Sequence, residues 1–385
     1  DANAYYKKGL SQFVMKDYRE AVEFNPASAD AYLSKGSAKY KIGDYKGAIA
    51  DYDKAIELDP KHTATYCIRG VAKSKIEDYK GAIADYDKAI ELDSNYTDAY
   101  CARGATKSEI GDYKGAIADY DKAIELDPDD VAAYYGRGAA KSEIRDYKRA
   151  IADYDMAIEL DSNYAAAYGS RGATKSEIGD YKGAIADYDM AIELDPNYAA
   201  AYGSRGATKS EIGDYKGAIA DYDMAIELDP NYAATYASRG IAKCEIGDYK
   251  EAISDLDKII ELDPSHDAYD SRGLAKYEIG DYKGAIADYN KVIALDPKNA
   301  DAYCARGATK TEIGDYKGAI ADYDKVITLD PKCVFAYHNR GFVKYRTKDY
   351  KGAIADLDKM IELDPQNADR YRKLMEVANK ELNYL

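Results

Sequence analysis

The octapeptide GSRGATKS, from Gly169 to Ser176 and again from Gly203 to Ser210, stands one residue away from a phosphate-binding loop. Such a loop cradles phosphates with glycine-freed backbone N–H groups and neutralises them with its lysine. Here Thr174 occupies the place of the required second glycine, and the segment lies inside a helix-period stretch with no strand before it. Nucleotide binding is therefore not expected. His62, His266 and His338 are scattered, without the paired spacing a zinc site uses, so no metal and no other cofactor is expected. Cys67, Cys101, Cys244, Cys304 and Cys333 are odd in number and sparse for a disulfide framework, and read as small apolar fillers. Cys67 and Cys101 sit at equivalent places 34 residues apart, and a bridge between them depends on how close successive helices lie. One sequon, Asn95-Tyr96-Thr97, takes a glycan only in an exported chain. No Ser, His and Asp grouping, and no Cys and His grouping, stands apart from a pattern copied along the chain. Catalysis is not expected.

That copied pattern is what positions every one of these residues. The 34 residues from Ala165 to Tyr198 are followed at once by an identical copy from Ala199 to Tyr232, and eleven related copies fill the chain. The Gly172 site recurs at Gly9, Gly36, Gly70, Gly104, Gly138, Gly206, Gly240, Gly273, Gly307 and Gly341. The spacing is 34 except for 27 after Gly9, where the first repeat loses about two turns of its second helix, and 33 after Gly240. Each unit holds two helix-period segments. The first runs from about Ala165 to Ile178 and ends at Gly179, which supplies a left-handed residue. Asp180 caps the second, whose apolar face is Tyr181, Ala184, Ile185, Tyr188, Ala191 and Ile192. All nine prolines stand at the Pro196 site, where a helix must stop. A helical hairpin of this size cannot bury its own apolar face and stacks on its neighbours. Residues 1–367 are thus expected to form one solenoid, and 368–385 a capping helix with Tyr371, Leu374, Met375, Ala378 and Leu382 on one face.

At 385 residues a single compact core would divide into domains, but a solenoid grows in one dimension. The net charge of −16 and pI of about 4.8 argue against a nucleic-acid binder and against anionic membrane surfaces. No apolar run is long enough to span a bilayer, which suggests a soluble chain. The chain starts at Asp1 and not at Met, so the compartment stays open. The 41 tyrosines against 4 phenylalanines and no tryptophan suit a thin, two-layer fold in which hydroxyls stay near water.

The 34-residue period, the small Gly172 and Ala184, the aromatics Tyr168, Tyr181 and Tyr188 and the LDP ending resemble tetratricopeptide repeats, over Ala2 to Leu385. The resemblance implies an all-α solenoid, a right-handed superhelix of antiparallel helix pairs with first helices lining a concave groove. It also implies a protein-interaction scaffold, an inference by analogy. The family's carboxylate clamp for chaperone tails needs Lys and Asn at set groove sites. Ser, Ala and Gly stand there in this chain, so that activity is not expected.

Three departures from the family pattern bear on function. Where many members have Leu, this chain carries a cation, Arg171 and its equivalents, and ten repeats carry Asp at the Asp187 site. Ion pairs of the type Arg103 with Asp119, Arg171 with Asp187 and Arg205 with Asp221 are expected to bridge the two helices of a unit, the alternative being solvated charges that never meet. With the Lys175 site one turn on, these cations would form a stripe. On the groove side implied by the resemblance runs an acidic ladder, Glu109, Glu143, Glu177, Glu211, Glu245, Glu278 and Glu312, replaced by Lys41, Lys75 and Arg346 towards the ends. It reads either as a channel for a cationic extended partner or as a copied, solvated surface. Other groove positions are small in the middle, with Leu33, Tyr40, Tyr135, Tyr277, His338, Phe342 and Tyr345 as candidate anchors. Finally, a glycine early in the second helix, as at Gly47 and Gly183, implies either close approach of another chain or copied drift. The leading expectation is a non-enzymatic scaffold binding a protein or peptide. The alternatives are a self-assembling filament subunit and a regulatory module of an enzyme system.

Overall fold

The computed structural model describes residues 27–262 and 265–383, and among them every regular element is a helix. The first repeat, with Lys8, Gly9 and the shortened second helix expected there, lies outside the described residues. The chain divides into two units, Asp1–Pro196 and Asn197–Leu385. In the first, the leading or A helices are Ala29–Lys41, Thr63–Ser74, Thr97–Glu109, Val131–Glu143 and Ala165–Glu177. Their B partners are Tyr45–Leu58, Tyr79–Leu92, Tyr113–Leu126, Tyr147–Leu160 and Tyr181–Leu194. In the second, the A helices are Ala199–Glu211, Ala233–Glu245, His266–Glu278, Ala300–Glu312 and Val334–Arg346. The B helices are Tyr215–Leu228, Tyr249–Leu262, Tyr282–Leu295, Tyr316–Leu329 and Tyr350–Leu363, followed by a last helix, Ala368–Asn383. Within each unit an A helix packs on its own B helix, that B helix on the next A helix, and successive A helices touch along one face. Ala368–Asn383 packs on Tyr350–Leu363.

The boundaries follow from local chemistry. Ala165–Glu177 ends because Gly179 takes φ +81°, a region open to glycine at no steric cost. Tyr181–Leu194 starts because the Asp180 carboxylate accepts the Gly183 N–H at 3.0 Å, satisfying one of the free donors of the first turn. A Cβ on Gly183 would lie 2.2 Å from the Asp180 Oδ2. The recurring early glycine thus has a local use that the sequence reading did not weigh: it lets the capping carboxylate sit over the helix end. Repeat five supplies the contrast. Arg149 replaces the glycine there, Asp146 makes no side-chain cap, and its Oδ2 lies 2.6 Å from the Arg149 Nε instead.

Between the helices of one hairpin lies a thin core of small residues and one large ring. Ala82, Tyr86 and Ala89 of one B helix are buried with Tyr66 and Cys67 of their own A helix and with Ala99 of the next one, and the A-helix glycine faces the ring of its own B helix. The glycine is pressed onto the ring: a Cβ on Gly172 would meet the Tyr188 Cε1 at 3.0 Å, and one on Gly70 would meet the Tyr86 Cε1 at 2.6 Å. Tyrosine is used in place of phenylalanine because its hydroxyl finds partners at the thin edge of the core. The Tyr86 hydroxyl lies 3.5 Å from the Ser74 Oγ, and the A-helix ring Tyr66 donates to the Pro60 carbonyl at 3.2 Å.

Candidate interaction surface

From Arg69 onward, a single arginine ties three helices together at the joints inside each unit. Arg171 donates from Nε and Nη2 to Asp187 Oδ2 and Oδ1 at 2.9 and 2.5 Å, across its own hairpin. Its Nη1 donates at 2.5 Å to Asp155, on the B helix of the preceding repeat. Lys175 brings its ammonium 2.8 Å from the same Asp187, and the guanidinium lies 5.4 Å from the centroid of the Tyr168 ring. Asp187 is 4 % exposed, so this carboxylate is buried and answered by two cations. Arg103 repeats the arrangement with Asp119 and Asp87, and Arg205 reaches Asp221 through Nε and Nη2 at 2.9 and 2.5 Å. The bond to Asp119 pushes the Arg103 pKa up against the opposing pull of burial. The Asp155 half of the joint was not anticipated, although its signal was present: Arg69, Arg103, Arg137, Arg171, Arg239 and Arg340 each have an aspartate 16 residues behind as well as 16 ahead, and Arg272 has one 15 behind. At Arg306 the rear partner is Asn290, at 2.6 Å.

These contacts change the electrostatics of the A-helix face. The Arg171 and Lys175 sites do not form an open cationic stripe, because both are spent on buried carboxylates. Left in solvent are Glu109, Glu143, Glu177, Glu211, Glu245, Glu278 and Glu312, every one exposed and every one the last residue of its A helix. Glu109 and Lys75 together border a recess of about 400 Å³ between successive A helices, with Val71, Ser74 and Ala102 on its walls. Carboxylates at a helix C-terminus face the negative end of its dipole, so the ladder costs stability.

The candidate anchors divide into two groups. Leu33 and Tyr40 pack with Ala48, Tyr52 and Ala72, and Tyr40 stands edge-on to Tyr45 with centroids 5.2 Å apart. Tyr277 meets Tyr282 in the same way at 5.5 Å, and desolvation followed by the Glu312 charge raises its pKa. Tyr135 is held between Tyr154 and Tyr164, with its hydroxyl 3.3 Å from the Ser170 Oγ. His338, Phe342 and Tyr345, by contrast, share an apolar recess of about 270 Å³ with Leu374 and Val377 of the last helix. Tyr345 also stands edge-on to Tyr350, with centroids 5.4 Å apart. All five cysteines are free, and burial pushes the Cys67 thiol up to about 12, away from nucleophilic character at neutral pH. No group of three or more potential metal ligands occurs among the described residues, and no helix there is long and apolar enough to cross a membrane.

Family models described as tetratricopeptide repeat match residues 29–62, 131–164, 165–198, 199–232, 233–266, 300–333 and 334–367. One described as TPR repeat matches 75–111, 108–143 and 273–312. No curated protein matches the chain. Among solved structures, the C-terminal part of a TPR repeat-containing protein from Cytophaga hutchinsonii is 20 % identical with a TM-score of 0.55, covering 64 % of this chain and 99 % of that one. That likeness is one of fold. YrrB, titled a TPR protein with an unusual peptide-binding site, is 26 % identical over 49 % of this chain and 97 % of its own, with a TM-score of 0.41. MamA is 30 % identical over 43 % of this chain and 96 % of its own, with a TM-score of 0.40.

Proposed function

Since the chain belongs to the tetratricopeptide repeat family, we propose that it is a non-enzymatic scaffold whose A-helix face binds an extended, cationic segment of a protein or peptide. In this reading the repeats supply the binding surface, and Ala368–Asn383, which packs on Tyr350–Leu363, acts as a cap. Repeats of this family mediate protein–protein interaction. The observation that carries the finer reading is the row of exposed glutamates at A-helix C-termini, three in the first unit and four in the second. Stability does not account for them, because the helix dipole opposes charge of that sign there. The nearby cations are already neutralised by buried aspartates, so a partner meets net negative charge. Phe342, exposed beside the terminal recess, gives an apolar contact at one end of the face.

The test is fluorescence anisotropy of a labelled lysine-rich peptide against the full chain. Replacing Glu143, Glu177 and Glu211 together by Gln should weaken binding by about tenfold at low salt and flatten its salt dependence. Unchanged affinity and an unchanged salt slope would reject the acidic face as the binding surface.

Self-assembly is the second reading, favoured by Leu374 and Val377, which stand 44 % and 49 % exposed on the last helix. It draws less support from the early-helix glycines, which have a local use in the cap. Light scattering over a wide concentration range decides it: growth with concentration supports stacking, and a constant monomer mass rejects it.

A further inference from the structure

Within the second unit the A-helix face contains a recess of about 450 Å³, bordered by Gly203, Ala207, Tyr222, Tyr232, Thr235 and Ser238. A Cβ on Gly203 would meet nothing within 4 Å, so the space begins at the backbone itself. Tyr232, on its wall, is 61 % exposed. The rim residues Ala200, Ala207 and Ala234 are small and exposed, which leaves the entrance open.

The first unit shows what fits such a space. In repeat five the position equivalent to Gly203 is Tyr135, whose ring packs against Tyr154 and Tyr164 at centroid distances of 5.9 and 5.1 Å. Its hydroxyl lies 3.3 Å from the Ser170 Oγ. Move each of these three contact residues forward by two repeats, 68 residues, and they become Tyr222, Tyr232 and Ser238, all of which line the recess at Gly203. Within single units, the same walls and the same hydroxyl thus stand around Tyr135 in the first and around Gly203 in the second. In one copy the chain supplies the ring, and in the other it does not. The two wall rings differ accordingly: Tyr164 is half-buried, and Tyr232 is exposed.

We propose that the Gly203 recess is a binding slot for a tyrosine side chain supplied by a bound polypeptide, its ring against Tyr222 and Tyr232 and its hydroxyl on Ser238. Aromatic contacts to two walls supply affinity, and the serine selects tyrosine over phenylalanine. Asp229, also on the wall, adds an acceptor for the phenolic proton near the rim. The slot rests on the reading of the A-helix face as a peptide-binding surface, but its chemistry does not depend on the glutamate ladder.

N-acetyl-tyrosinamide is a suitable probe, since it is neutral and reports on the slot alone. Saturation-transfer NMR with the full chain should show it binding about fivefold more tightly than N-acetyl-phenylalaninamide, the worth of one neutral hydrogen bond. Ser238→Ala should abolish that preference. Gly203→Tyr should fill the slot as Tyr135 fills its own and weaken probe binding by about tenfold. Should that variant fold poorly, Tyr232→Ala removes an exposed wall ring and gives the same loss. Equal binding of the two probes, no binding up to the solubility limit, or unchanged affinity in the variants would overturn the slot. Loss of lysine-peptide binding in the Gln variants with probe binding intact separates the ladder from the slot, and the reverse result removes the slot alone.

Discussion

Arg171 holds Asp187 through two parallel N–H groups, while its third nitrogen reaches a different repeat at Asp155. Asp187→Ala would leave the guanidinium and the Lys175 ammonium without their shared buried acceptor. We expect about 3 kcal/mol of local destabilisation, seen as faster amide exchange in Ala165–Glu177 and Tyr181–Leu194. The double variant with Arg171→Met should recover part of it.

Losing Asp155 should act differently. Its side chain is 55 % exposed, so Asp155→Ala should cost at most about 1 kcal/mol. Exchange should quicken where the two repeats meet and stay unchanged inside each hairpin.

At the B-helix start, Gly183→Ala should give a stability change near zero, because the helix-propensity gain of about 1 kcal/mol offsets a lost cap of similar size. On an Asp180→Ala background, with no cap to lose, the same substitution should stabilise by about 1 kcal/mol. Equal effects on both backgrounds, measured by chemical denaturation, would show that Gly183 and Asp180 are not coupled.

The glycines facing the core ring should be sensitive only where the ring is large. Gly70→Ala places a methyl 2.6 Å from Tyr86 and should destabilise by about 1–2 kcal/mol. At Gly240 the B-helix residue is Leu256 and the nearest atom is 3.5 Å away, so Gly240→Ala should be neutral or stabilising.

Alkaline unfolding should follow the buried rings. Burial pushes Tyr323 up to about 12 from an ordinary 10.0, and burial with nearby negative groups pushes Tyr96 to about 12. A raised folded value means that the unfolded chain releases these protons first. Stability from these rings is therefore full below pH 10 and lost as pH climbs from about 10 to about 12. Phenolate absorbance should rise in two phases, the later one together with loss of helical ellipticity.

Much of this architecture is legible because one short unit is copied. A helix pair of 34-residue period, with Asp-Tyr at the start of its second helix and Pro just past that helix's end, has few ways to fold. The spacing alone places Arg171 opposite Asp187 once the hairpin closes. Harder to see is Asp155, since an acid on the outer side of a B helix looks like solvated charge until the next repeat is stacked on it. The Asp180 cap is legible in the sequence, but its link to the glycine three residues on is not, because a glycine at a helix start looks like a surface feature until the carboxylate is seen to lie over it. Aromatic anchors mislead for another reason. Side-chain size marks Tyr135 as a contact for a partner, but whether a ring turns outward depends on the empty space beside it, which only packing reveals.

The arginine joint recurs with the same donor atoms on one side and the same carboxylate on the other, from Arg103 and Asp87 to Arg340 and Asp324. Among the described repeats, those with both the arginine and the rear aspartate therefore already carry matching halves. Unequal crossing-over between the gene's near-identical copies, so long as it removes or inserts whole multiples of the period, yields neighbours that fit without a compensating mutation. Even the Asn290 joint tolerates the exchange, since an amide oxygen still meets the arginine. The joint chemistry thus sets no particular length, and a whole repeat can be gained or lost without leaving a charge unpaired inside the stack.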